Sequence, residues 1–214
     1  KFREVNFDKE PSPSLAYILG VIVGDGCVFE GDSEYRVILS VKDKEFADSF
    51  EDELKNIGLN PSLRPVKNQG RNKIQMYRVQ ASSKIFVKWY QELDFQDIKE
   101  LLKTDKMRQE FVRGFYESEG TLSIDKRKNR CFSIRIPNSD KELIRFVGDI
   151  LKELGFSSYF REKEHTWDDR SWIMYHLRIG GSDEVKRFLT EVGSVIPRKS
   201  LSRIESITEQ FVQS

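Results

Sequence analysis

The sequence predicts an α+β fold built from two pseudosymmetric αββαββα repeats, and three internal matches carry that expectation. LAYILGVIVGDG at 15–26 aligns with QEFVRGFYESEG at 109–120, so that Gly20 falls on Gly114, Asp25 on Glu119 and Gly26 on Gly120 at an offset of 94. VKDKEFADSFEDELKNIGL at 41–59 aligns with NSDKELIRFVGDILKELGF at 138–156 at an offset of 97, which places three extra residues in a hairpin of the second half. IQMYRVQ at 74–80 matches WIMYHLR at 172–178, with Met76 on Met174 and Tyr77 on Tyr175.

The elements follow in one order. An apolar helix over about 14–24 ends at Gly-Asp-Gly. Strands over 27–30 and 34–41 come next, with Tyr35, Val37, Leu39 and Val41 alternating onto one face. A helix over 43–57 carries Phe46, Phe50 and Leu54 at spacing four and stops at Gly58. Strands over 61–66 and 73–80 flank the polar, flexible loop KNQGRN, and a helix over 83–93 closes the unit, with Phe86 and Trp89 in its core. The expected domains are 1–94 and 105–214, joined by a connection over 95–104, and the second ends in an extra helix over 200–212.

Composition narrows the class. With 38% hydrophobic and 33% charged residues and 15 Phe, the chain reads as globular, neither disordered nor membrane-spanning. The opening KFREVNFDKEPSPS has no apolar stretch of the kind a secretion signal needs, and the absence of an initial Met suggests a trimmed chain. Cys27 and Cys131 are too few for a disulfide framework, so the expected setting is intracellular and reducing: the cytoplasm of a prokaryote or an organelle, without secretion or a membrane partner. A net charge of +1 does not announce a nucleic-acid binder, although attraction to phosphate depends on where charges sit. The acidic and basic helix at 43–57 reads as a solvated face that leaves room for a basic surface elsewhere.

The repeated acid is the strongest chemical signal. A carboxylate at a helix C-terminus meets the negative end of the macrodipole, a cost that a divalent cation would offset. Gly20 with Gly24, and Gly114 with Ser118, are small residues four apart, and each pair shares a helical face that admits a close backbone neighbour. If those faces meet, Asp25 and Glu119 arrive together, in an arrangement suited to metal-assisted phosphodiester cleavage. A single Gly-Asp-Gly is otherwise an ordinary turn; repetition of helix, small residues and acid argues for more.

LAYILGVIVGDG and FVRGFYESEG resemble the two motif copies of the LAGLIDADG homing endonucleases, in the monomeric, archaeal-like, two-motif form, and the likeness covers nearly the whole chain. The second copy has Glu119 where the motif's name has Asp, which preserves the carboxylate. The resemblance implies a monomer that hydrolyses both strands of double-stranded DNA at a long specific site across the minor groove, leaving short 3′ overhangs. It also implies antiparallel sheets forming a saddle on the DNA and a two-helix interface. Asp25 and Glu119 would bind Mg2+, with Mn2+ or Ca2+ as substitutes and two or three ions in all, and the carbonyls of Gly24 and Ser118 would add oxygen ligands. An RNA-binding maturase that assists intron splicing, and a DNA-binding module without cleavage, are the alternative activities on this fold.

The same resemblance implies basic groups near the scissile phosphates, for which Lys106 and Lys199 stand as a matched pair, with solvated surface lysine as the plain alternative. Lys42, Asn138 and Ser139 are candidates to hold the attacking water. On the strands, alternation turns Arg36, Ile38, Ser40, Ser133 and Arg135 away from the helices. Arg78, Gln80, His176 and Arg178 do likewise on the later hairpins, beside Arg64 and Arg161. Arg reads guanine and Gln reads adenine in bidentate fashion, so this set suits a major groove. His165 and Trp167, in a polar hairpin tip, either touch phosphate or nothing.

Overall fold

The protein is described from a computed structural model, which covers residues 6–67, 74–125, 131–168 and 170–212. Beyond Lys67, the loop expected at 67–72 lies outside these residues, as do residues 126–130. The chain divides into two compact units, Lys1–Ser118 and Glu119–Ser214. Among the described residues no helix is long and apolar enough to cross a membrane.

The first unit contains α1 (Pro13–Ile22), β1 (Cys27–Glu30), β2 (Tyr35–Val41), α2 (Lys44–Asn56), β3 (Ser62–Lys67), β4 (Gln75–Ser82) and α3 (Lys84–Gln91). Two further helices follow, α4 (Phe95–Leu101) and α5 (Asp105–Glu119), whose last residue opens the second unit. Ser12 caps α1, its hydroxyl accepting from the Leu15 amide at 3.2 Å, and Pro13 occupies the first turn, where no amide hydrogen is needed. Every residue from Leu15 to Ile22 is buried, so this helix is enclosed on all sides. It stops two residues short of the expected end: Gly24 and Asp25 lie in a turn, with the Gly24 and Gly26 amides both donating to the Val21 carbonyl.

The antiparallel sheet β1-β2-β4-β3 buries Val37, Leu39, Val41, Val79 and Ala81 beneath α2 and α3. Phe46, Phe50, Leu54 and Phe86 meet them from the helices, each such side chain contributing about 1.5–3 kcal/mol on burial. Trp89 packs its ring 5.1 Å from Phe7 and 5.7 Å from Phe86. Gly58 adopts φ +86° and ends α2, a conformation that other residues rarely tolerate. Residues 95–101, expected as plain connection, form α4 because Asp94 and Asp97 close a capping box, each carboxylate accepting from the other's amide at 2.9 and 3.0 Å.

The second unit repeats the order with β5 (Thr121–Asp125), β6 (Cys131–Asn138), α6 (Lys141–Glu153), β7 (Ser158–Trp167), β8 (Arg170–Gly180) and α7 (Ser182–Glu191). A 3-10 turn, Pro197–Lys199, then leads into α8 (Leu201–Val212). Its sheet, β5-β6-β8-β7, is also antiparallel and buries Phe132, Ile134, Ile136, Leu177 and Ile179 against α6 and α7. With α5 placed before β5, both halves read αββαββα in an α+β chain.

Candidate functional site

Within the first unit, α1 and α5 touch backbone to backbone. A Cβ added at Gly20 would collide with the Phe111 carbonyl oxygen, and one added at Gly114 with that of Tyr17 and, at 3.0 Å, the Val21 amide nitrogen. These contacts are mutual: the offset of 94 that relates Gly20 to Gly114 also relates Tyr17 to Phe111. Beside the crossing, the buried Tyr17 hydroxyl donates to Glu117 Oε2 at 2.5 Å. The Arg113 guanidinium covers the Tyr17 ring at 4.4 Å and pairs with Glu110 at 2.6 Å and Glu53 at 3.4 Å. Burial first, and then the negative charge of Glu117, hold the Tyr17 hydroxyl well above the ordinary phenol range. No sequence pattern pairs Tyr17 with Glu117, one hundred residues apart.

The two repeated acids lie in different units. Asp25 is exposed in the turn after α1. Glu119 is the half-buried last residue of α5, and Asn138, at the end of β6, donates from Nδ2 to its Oε1 at 2.9 Å. The Asn138 carbonyl in turn accepts from the Asp140 amide at 2.8 Å, so both ends of the amide are engaged and its orientation is set. At the corresponding place in the first sheet stands Val41: it pairs with Tyr77 as Asn138 pairs with Tyr175. The Ser118 hydroxyl bonds back to the Gly114 carbonyl at 3.0 Å. Lys42 is exposed just past β2.

The two expected lysines differ sharply. Lys106 lies in the first turn of α5, exposed and paired with Glu110 at 2.6 Å, and roughly 20 Å of helix separates it from Glu119 at 1.5 Å per residue. Lys106 therefore stands at the opposite end of α5 from Glu119. Lys199 is 3% exposed, which excludes the solvated-lysine alternative, and its 3-10 turn packs against β5, the strand that begins two residues after Glu119. Counted from the helix starts, the partner of Lys199-Ser200 before α8 is Lys103-Thr104 before α5. Thr104 caps α5, its hydroxyl accepting from the Met107 amide at 3.3 Å, whereas the Ser200 hydroxyl donates back to the Pro197 carbonyl at 2.9 Å.

The outer faces of the sheets carry the expected polar residues. In the first unit Arg64 stands directly opposite Arg78, and Arg78 donates from Nε to the Ser40 hydroxyl at 3.1 Å. Gln80 and Ile38 are paired neighbours, and Arg36 forms an ion pair with Glu34. In the second unit Arg135 stands opposite Arg178, and His176 opposite Arg161. Tyr159 lies beneath both Arg161 and Arg178, at 5.6 and 5.9 Å. Ser133 departs from expectation: alternation puts it on the outer side, yet it is only 7% exposed, among Ser123 and Gly180 on the flanking strands. Like charges placed opposite each other across strands destabilise a sheet unless an anion lies over them.

The chain matches the LAGLIDADG-like domain twice, over residues 12–93 and 106–193. It is 35% identical over 160 residues to the protein MJ0314 of Methanocaldococcus jannaschii, a match that spans 73% of this chain and 60% of that protein. It is 30% identical over 183 residues to the homing endonuclease I-DmoI of Desulfurococcus mucosus, covering 80% of this chain and 83% of the relative. The crystal structure of I-DmoI in complex with DNA and Mn superposes with a TM-score of 0.54 at 24% identity, over 85% of this chain and 96% of the other, a likeness of fold. The matched copies span most of the sequence, and the chain belongs to the LAGLIDADG-like domain family.

Proposed function

We propose that this protein is a site-specific endonuclease that hydrolyses double-stranded DNA with divalent metal, Asp25 and Glu119 supplying the carboxylate ligands. The observation that carries this reading is the mutual glycine crossing of α1 and α5, because each acid lies five residues beyond its own glycine. I-DmoI, a homing endonuclease whose solved structure holds DNA and Mn, is similar in sequence as well as fold.

The donor set fits a hard cation. Two carboxylates with the carbonyls of Gly24 and Ser118 are all oxygen ligands, as Mg2+, Mn2+ or Ca2+ requires. Among the described residues no three His, Cys, Asp or Glu side chains gather into a metal cluster, and Mg2+ commonly takes one or two carboxylates while keeping several waters. Ions bound there, two or three in the reading proposed, would activate water and stabilise the leaving oxygen. Asn138 holds the Glu119 carboxylate in place, as outer partners of metal ligands do. Lys199 is assigned to neutralise charge on the phosphate, and Lys42 to position water.

The paired arginines Arg64 with Arg78 and Arg135 with Arg178 are assigned to the duplex, together with Arg36, Ile38, Ser40, Gln80, Ser133, Arg161 and His176. Phosphate relieves their mutual repulsion and base edges supply specificity. The chain acts as a monomer whose repeats, 1–94 and 105–214, each take one half of the site.

Asp25→Asn and Glu119→Gln, assayed on duplex DNA carrying a site selected from a random library, test this. Each should lower Mg2+-dependent cleavage by about a thousandfold or more while binding in Ca2+ persists. Full cutting by either variant with Mg2+ would refute the assigned roles. Binding without any cleavage by the parent protein points instead to a silent DNA-binding module, and preference for structured intron RNA to a maturase.

A further inference from the structure

The repeats differ in charge along α2 and α6, the helix that follows the first hairpin of each. In α2, Asp48 takes Lys44 at 2.7 Å and Glu51 takes Lys55 at 2.8 Å, so both lysines are neutralised on the helix itself. The offset of 97 turns Asp48 into Arg145 and Glu51 into Gly148, while Lys44 and Lys55 stay lysines as Lys141 and Lys152. Lys141 finds Glu162 on β7 at 3.5 Å, but Arg145 and Lys152 have no carboxylate partner among the described residues.

Gly148 also leaves space. Glycine within a helix is destabilising relative to alanine, and no backbone neighbour demands it here, since a methyl group at this position would meet only the flexible end of Leu177 at 3.1 Å. Its absent side chain opens a groove of about 740 Å3 between α6 and β7, lined by Phe156, Phe160 and Leu177 and flanked by Arg145 and Lys152. Phe160 keeps 39% of its surface exposed there, on the helix side of the sheet, opposite the buried Leu177.

The groove borders a free strand edge. Among the described residues β7 pairs with β8 alone, so the other side of its backbone can take a further strand. The equivalent edge of the first sheet is β3, where Pro65 removes a donor and blunts pairing. No proline interrupts the ten residues of β7.

We infer that the groove between α6 and β7 is a docking site for an extended, acidic segment of a partner protein, which adds to the free edge of β7, places one apolar side chain beside Gly148 and Phe160 and sets carboxylates against Arg145 and Lys152. Alternate residues of an extended chain share a face, so the segment reads acid-x-apolar-x-acid. Arg145 and Lys152 lie two helical turns apart, about 10.5 Å at 1.5 Å per residue. The two acids of that pattern are about 13 Å apart at 3.3 Å per residue, a difference that long side chains cover. Asp149, in the lining between the two cations, repels a continuous phosphate backbone, whereas the pattern presents an apolar residue to it. The site faces away from the outward arginines of the second sheet and does not depend on the nuclease reading.

Nine-residue peptides from a phage-displayed random library, selected on the full chain and then measured by fluorescence polarisation, test the inference. Selection should enrich the acid-x-apolar-x-acid pattern. Gly148→Glu, which restores the side chain of the first repeat, should weaken the enriched peptide about tenfold or more by occupying the place of its anchor. Selection on Arg145→Glu with Lys152→Glu should turn the favoured flanks from acidic to basic, a change that lost folding does not produce. Thermal melting of both variants, and DNA cleavage where the parent cleaves, should match the parent. Absence of enrichment, or enriched peptides that bind Gly148→Glu as tightly as the parent, overturns the inference. Loss of structured-RNA binding or of self-association in Gly148→Glu, with peptide binding unchanged, overturns it too and assigns the groove to nucleic acid or to a second copy.

Discussion

The two repeats agree at the backbone crossing of α1 and α5 and disagree in the polar side chains beside it. At the crossing of α1 and α5, Gly20 and Gly114 make matching contacts, each against the carbonyl of the other helix. One turn away the match ends. The offset that pairs the glycines turns Tyr17 into Phe111, Arg113 into Leu19 and Glu117 into Val23, so the buried tyrosine and glutamate and the half-buried arginine have only apolar counterparts. At the sheet ends Asn138 bonds to Glu119, and its counterpart Val41 has no polar group to offer. Sterics at a close crossing leave glycine as the one solution for both helices. Side-chain chemistry beside it is free to differ.

The largest effect should come from breaking the symmetric part. Gly20→Ala and Gly114→Ala each drive a methyl group into a backbone carbonyl, which cannot move aside as a side chain can. Both should cost about 1–3 kcal/mol or more in urea unfolding, and by similar amounts. Gly148→Ala is the control, because its new methyl would meet only the flexible end of Leu177 at 3.1 Å. A Gly114→Ala protein as stable as the Gly148→Ala protein would mean that α1 and α5 do not cross as described.

Much of this was legible in the sequence because it depends on period and repetition. The alternation of Val37, Leu39 and Val41, and the spacing of Phe46, Phe50 and Leu54, survive in the structure as buried faces. What was missed depends on local hydrogen bonds or on contacts distant in sequence. Asp94 and Asp97 carried a capping signal for α4 that a reading by apolar period passed over. Lys106 and Lys199 were matched as lysines at the openings of two helices, whereas counting from the helix starts pairs Lys199 with Lys103 and puts Lys106 inside the first turn of α5. Gly24 was placed inside a helix that stops at Ile22, since helix ends are settled by capping geometry more than by composition. Ser133 follows the alternation and is still buried, because facing and exposure are separate properties.

The asymmetric part gives a middle-sized effect. Asn138→Ala removes the partner that orients Glu119 and should slow cleavage about tenfold to a hundredfold, as loss of an outer partner does at metal sites. Since Asn138 bonds to one acid of the pair, Glu119, the loss should fall on one DNA strand. Nicked circles should therefore accumulate when a supercoiled plasmid carrying the site is digested. Equal slowing of both strands would erase the distinction drawn between the two acids.

The smallest effect concerns His176 and would sharpen the contrast between the sheets. Burial, followed by the nearby charges of His165, Arg135 and Lys163, lowers its pKa below the ordinary 6.5. A depressed histidine pKa contributes stability that is fully present above the unfolded value and is lost as pH falls through the folded one. The same proton adds a positive charge opposite Arg161, beside the paired arginines of the second sheet. Acidification should therefore weaken the fold slightly and tighten sequence-independent binding, steepening the dependence of log affinity on log salt by about 0.9 per added phosphate contact. His176→Gln should abolish that acid-dependent change in slope, and a slope that steepens equally in both proteins would assign the proton to another group.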